Sequence, residues 1–259
     1  MEQRRWSVVV IKLPTDLPDD LFYGRAGYLW SCSFLNKHLG KGTISISQMR
    51  AIVNELIKSG RKLSRLENFK SPLMYESRGK RYWGAAHGLA GVMNVLLDME
   101  LKEDEIEDVK GILRYMIKNR FSSGNYRTSE GDERDELVHW CHGAPGVALT
   151  LAKAAKVFGG VSGSSQSSRG GGLLKRIGIC HGISGNAYVF LSLYRLTGKE
   201  YLHTRQKHLL VFYAHTFISE GIMHRGDHPF SLFEGIGGMA YLFLDLVEPS
   251  ESRFPANEI

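Results

Sequence analysis

The sequence predicts an all-α protein built from repeated helical hairpins that stack or close into a ring. Three observations carry this expectation. A short motif, G-x-x-G, occurs five times along the 259 residues, at Gly24 and Gly27, Gly88 and Gly91, Gly143 and Gly146, Gly182 and Gly185, and Gly235 and Gly238. Every copy opens an apolar segment of helical length, and amphipathic stretches lie between the copies. A helix that is apolar on most sides cannot be covered by one outer partner, so such pairs must stack or close on one another.

The elements follow in order. Intervals from first glycine to first glycine are 64, 55, 39 and 53 residues. The apolar segments are 28–40, 92–102, 147–159, 186–198 and 239–249, rich in Leu, Ala and Met with apolar residues at i, i+3 and i+4. Several stop at a glycine, namely Gly40, Gly159 and Gly198. Residues 47–58 and 103–118 read as outer helices with polar faces, and 201–218 as a less regular third. The one strand candidate is 6–12. The stretch 159–172 is Gly/Ser-rich and reads as a flexible linker inside a single domain spanning 1–259, standing where an outer helix belongs.

Composition narrows the function classes. Hydrophobic residues make up 43% and charged residues 23%, as in ordinary globular chains. The net charge of +6 is spread without any block of five like charges, so a solvated basic surface is expected and no nucleic-acid partner. No run of about 18 apolar residues suggests a bilayer span. The N-terminal stretch carries Lys12 and Pro14 inside its apolar run and no small-residue cleavage site, so no signal peptide is read there. Three cysteines, Cys32, Cys141 and Cys180, argue for a reducing compartment rather than a disulfide framework.

The motifs carry chemistry besides glycine. Cys141-His142 precedes Gly143, Cys180-His181 precedes Gly182, and His87 precedes Gly88. Equivalent places in a ring of repeats converge at one end. Two thiolates and an imidazole make a good zinc set that leaves a fourth position open. Cys32, with no histidine beside it, reads as a small core hydrophobe.

The stretches around Gly84–His87, Trp140–Gly146, Cys180–Tyr188 and Pro229–Gly235 resemble the signature motifs of lanthionine synthetase C-like proteins, with the eukaryotic and in particular the plant branch fitting best. The resemblance runs from about Lys12 onward, excluding 159–172. It implies an α/α toroid of helical hairpins with zinc at its mouth. It implies the addition of a thiol, from glutathione or a peptide cysteine, to dehydroamino acids. By motif, Cys141, Cys180 and His181 resemble the zinc ligands and His87 the proton-transfer histidine, with His142 second for that role. Asp20 matches the family's acidic residue, with Asp19 as competitor, and Lys175 and Arg225 fall near positions that bind substrate carboxylates.

Against a family toroid of seven helix pairs, five motifs leave about two pairs fewer, so an incomplete ring with exposed inner helices is expected. The alternative to an enzyme is a zinc- and glutathione-binding scaffold without turnover, with a signalling partner or a peripheral place at the plasma membrane. The enzyme would work in the cytoplasm. A third reading, a glycosidase-like toroid using Glu234 and Asp20 as its carboxylate pair, gives the Cys-Cys-His set no role.

Overall fold

The computed structural model describes residues 13–14, 16–159, 177–202, 204 and 228–259. Every regular element among them is a helix: α1 (Arg25–Leu39), α2 (Ile46–Leu66), α3 (Leu89–Leu96), α4 (Glu103–Lys118), α5 (Ala144–Phe158), α6 (Ile183–Thr197) and α7 (Ile236–Val247). Backbone pairing outside helices amounts to isolated bridges, Ser77 with Lys80 and Tyr82 with Ser129. The strand expected at 6–12, nearly all of the 159–172 linker and most of the third outer helix lie outside the described residues. None of the described helices is long and apolar enough to cross a membrane.

The five glycine motifs head α1, α3, α5, α6 and α7, with the first glycine as N-cap each time. The helices therefore start inside the motif rather than after it. The second glycine sits in the first turn, where its helix folds back over its own entry loop. A Cβ there would stand 1.9 Å from the Leu21 carbonyl oxygen at Gly27, 1.9 Å from that of Ala85 at Gly91 and 1.9 Å from that of Ile179 at Gly185. In each case the carbonyl belongs to the residue six positions earlier, so the repeat in sequence is a repeat of one loop geometry. No side chain fits at that approach.

These five helices form the inner layer, each packing on the next: α1 on α3, α3 on α5, α5 on α6, α6 on α7. All eight residues of α3 are buried. The outer helices α2 and α4 pack on α1 and α3. Ser45 and Gln48 cap the start of α2 reciprocally, backbone to side chain. Arg61 of α2 joins Asp104 (2.8 Å) and Asp108 (2.6 Å) of α4, and Arg50 pairs with Glu105. The longer α2, starting at 46 and ending at 66 rather than 58, carries Arg61 in its added turns and so reaches Asp104 and Asp108.

The middle of the inner layer is filled by the segment after α7. Phe254 is fully buried, stacked on Trp140 at 5.1 Å and edge-on to Tyr188 at 5.2 Å. Asn257 accepts from Asn94 through its backbone oxygen (2.6 Å) and from the Trp140 indole through its side chain (3.2 Å). Glu258 takes hydrogen bonds from Ser192 and Arg195.

Among the described residues, the first and last helices of the inner layer meet at the motif end but not along their length. Phe22 before α1 packs edge-to-face on Phe233 before α7, with ring centroids 5.2 Å apart. Beyond that contact the two helices make no packing comparable to their neighbours'. Leu244 and Val247 of α7 are 72% and 85% exposed, and Phe34 and Leu39 of α1 are also exposed.

Candidate metal centre

The loops before the helices place the chemistry. Two residues before each first glycine stand Phe22, Ala86, Cys141, Cys180 and Phe233, and one residue before it stand Tyr23, His87, His142, His181 and Glu234. Backbone bonds tie successive loops together: Cys141 N–H donates to the Cys180 carbonyl (3.1 Å), and Cys180 N–H to that of Phe233 (2.8 Å). A Cβ on Gly84 would stand 1.8 Å from the Cys141 carbonyl oxygen, so a glycine is required for the second loop to approach the third.

Cys141, Cys180 and His181 bring their donor atoms to within 4.8 Å of one another. The Cys141 thiol and the His181 ring both hydrogen-bond to Cys180. Those bonds, Cys141 first, outweigh burial and bring the Cys180 thiol down to about 6. The same bond from the other side, together with burial, pushes the Cys141 thiol well up. One thiol ionises readily and leans on the proton of the other. A divalent cation that draws off both protons suits this pair, and two thiolates with one imidazole suit zinc.

His87 stands within electrostatic reach of Cys180. Its Nδ1 lies 3.2 Å from Asp20 Oδ2, which also accepts from Ser77 Oγ (2.6 Å), while Asp20 Oδ1 accepts from the Tyr23 N–H (2.7 Å). Burial raises the Asp20 carboxyl, but the hydrogen bonds from His87, Ser77 and Tyr23 overcome it and hold it below the usual range. An ionised carboxylate only accepts, so Nδ1 carries the proton and Nε2 is the basic nitrogen left for chemistry. Tyr23 lies parallel to the His87 ring, 4° between planes at 5.6 Å, and Phe22 meets it edge-on at 5.6 Å.

Asp19 points the other way. It pairs with Arg25 at 2.8 Å and accepts from Ser59, and burial raises its carboxyl despite both. Of the two acidic candidates, Asp20 is the one at His87. His142 lies beside Tyr82 (5.3 Å), with its Nδ1 buried and without a hydrogen-bond partner. Burial, then the neighbouring His87, His139 and His181, push it down to about 4. Cys32 is buried in α1 away from the cluster, as a core side chain. Lys175 and Arg225 lie outside the described residues.

Sequence reasoning passed over Tyr23 and Ser77. Tyr23 had a signal, because it holds the same place before Gly24 as His87 holds before Gly88. Ser77 had none: it reaches Asp20 from a turn 57 residues away.

The chain is similar to several known proteins. Residues 4–259 match the family described as lanthionine synthetase C-like protein. The chain is 44% identical over 250 residues to LanC-like protein GCL1 of Arabidopsis thaliana, covering 93% of this chain and 58% of that one. It is 40% identical over 262 residues to glutathione S-transferase LANCL1 of Danio rerio, covering 94% of this chain and 62% of that one. The chain thus spans about three-fifths of the length of these relatives. Among solved structures, nisin cyclase superposes with a TM-score of 0.57 at 17% identity, over 90% of this chain and 77% of that one, which places the helices in the same toroidal fold.

Proposed function

Because the chain belongs to the lanthionine synthetase C-like family, we propose that it is a zinc-dependent enzyme adding a thiol, from glutathione or a cysteine-containing peptide, across the double bond of a dehydroamino acid. One observation supports this reading: Cys180 of the Cys141–Cys180–His181 donor set lies within electrostatic reach of His87, which Asp20 holds. Zinc on that donor set would supply a thiolate near neutral pH, where a free thiol with a pKa of roughly 8.5 is mostly protonated.

The chain's own residues do the rest. Asp20 fixes the tautomer and direction of His87, so that Nε2 takes the thiol proton and returns it to the substrate α-carbon as the sulfur bonds the β-carbon. The C=C π bond is consumed, S–H is added across it, and no oxidant or reductant is needed. His142, neutral at pH 7, is the poorer proton donor. Phe22, Tyr23 and Tyr82 pack around the imidazole and hold its ring in place. The glycosidase reading loses its pair, since Asp20 is committed to His87, Ser77 and Tyr23.

The exposed apolar side of α7 favours a second reading, a zinc-holding scaffold whose work is binding. One experiment separates the two. Zinc-loaded protein is incubated with glutathione and a dehydroalanine peptide, and the adduct is followed by mass spectrometry. Adduct formation that His87→Ala abolishes while zinc is retained supports the enzyme. No adduct above the uncatalysed rate sinks it and leaves the scaffold. A cytoplasmic site of action, with a peripheral place at the plasma membrane as the alternative, belongs to the same proposal.

A further inference from the structure

We infer that Glu234 receives the ammonium group of the incoming thiol, so that the substrate class is the aminothiol rather than thiols at large; this rests on the thiol-addition reading above. Glu234 is the fifth residue in the row formed by Tyr23, His87, His142 and His181, each standing just before the first glycine of its motif. It is the one anion among aromatic and imidazole groups. Its backbone lies against the loop of the metal ligands: Cys180 N–H donates to the Phe233 carbonyl at 2.8 Å, and a Cβ on Gly178 would stand 2.6 Å from Glu234 Cα. Around the mouth, Glu234 follows His181.

Its carboxylate is unlike those of Asp19 and Asp20. Asp19 is engaged by Arg25 and Ser59, and Asp20 by Ser77, Tyr23 and His87. Glu234 Oε2 is shielded from solvent and has no hydrogen-bond partner. Nor does Glu234 join the group whose donor atoms lie within 4.8 Å of one another, so it is not a fourth metal ligand in this arrangement. A shielded carboxylate oxygen without a donor is unfavourable until a ligand brings one. An ammonium brings both the N–H and the opposite charge, and the resulting bond is charge-assisted. Cysteine and glutathione carry such a group on the molecule that carries the thiol.

The test is calorimetric binding to zinc-loaded protein of two ligands, glutathione and its des-amino analogue glutaryl-cysteinyl-glycine, which lacks the ammonium and adds nothing in its place. Wild-type protein is expected to prefer glutathione by about tenfold, the effect of one well-placed charge-assisted bond. Glu234→Gln should bind both equally with zinc content unchanged, and Glu234→Asp should keep part of the preference. Equal binding of both ligands by wild type, or full preference in Glu234→Gln, overturns the inference and leaves the thiol reading standing. Should Glu234→Gln fail to fold, the wild-type comparison still decides. Zinc-loaded wild type that binds neither ligand overturns the thiol reading itself, and the inference with it.

Discussion

Asp20 and His87 come from different repeats, 67 residues apart, and meet at 3.2 Å. The first loop thus supplies the carboxylate that orients the imidazole of the second. Removing either partner should reveal the division of labour. His87→Ala is expected to lower kcat by about 10²–10⁴-fold, the usual worth of a proton-transferring group. Asp20→Asn should lower it less, by about 10–100-fold, because the ring stays but its tautomer is no longer enforced. Zinc content should be unchanged in both. Steady-state kinetics beside metal analysis decides, and equal zinc loss in His87→Ala removes the proton-transfer role.

The same carboxylate makes a prediction about acid. Its folded value lies below the unfolded one, so its contribution to stability is complete above the ordinary carboxyl range near pH 4 and is lost as pH falls through the lower folded value. Denaturant melts at pH 5 and pH 3 should show wild type losing more stability over that interval than Asp20→Asn. Asp19, raised by burial, contributes with the opposite sign but equally in both proteins. Parallel losses would show that Asp20 is not anchored as described.

His142 should stay neutral through the physiological range. With its value pushed down to about 4, its ring resonances should not titrate between about pH 5.5 and 8 in an NMR series, assigned by comparison with His142→Gln. A midpoint near 6.5 would contradict the burial of the ring.

Metal binding and loop geometry should fail together. Cys180→Ala removes a ligand outright, and zinc should drop from about one per chain to none with the helix content kept. Gly185→Ala touches no ligand, yet its Cβ would stand 1.9 Å from the Ile179 carbonyl, next to Cys180. It should lose zinc as well, with a lower melting temperature. Full zinc in Gly185→Ala would mean that the loop has slack.

Much of this was legible beforehand, for a physical reason. Gly27, Gly91 and Gly185 had to be glycine because a carbonyl sits where a side chain would begin, so the constraint is written directly in the sequence. Cys141, Cys180 and His181 inherit their convergence from that repeated loop, and so they too could be read. Ser77, the Asp19–Arg25 pair and the packing of Phe254 against Trp140 could not, because each depends on contacts between distant segments that leave no periodic trace. The choice between Asp19 and Asp20 needed the backbone itself, since neighbours in an extended loop face opposite ways.

The filling of the central space by Phe254 and Asn257 governs the order in which the molecule can be made. Asn94 and Asn257 are 163 residues apart, and Trp140 and Asn257 are 117 apart. Until the segment after α7 arrives, the helices α3, α5 and α6 surround a void lined by Trp140 and Tyr188, so earlier stages of synthesis or refolding present a hollow, loosely consolidated array. Contacts of such long range slow folding and expose apolar surface while they are awaited. Phe254→Ala should therefore cost about 3–5 kcal/mol, a drop of roughly 10 °C in Tm read by calorimetry. Any stage of synthesis at which Phe254 and Asn257 are still to come leaves Trp140 and Tyr188 without the groups that cover them.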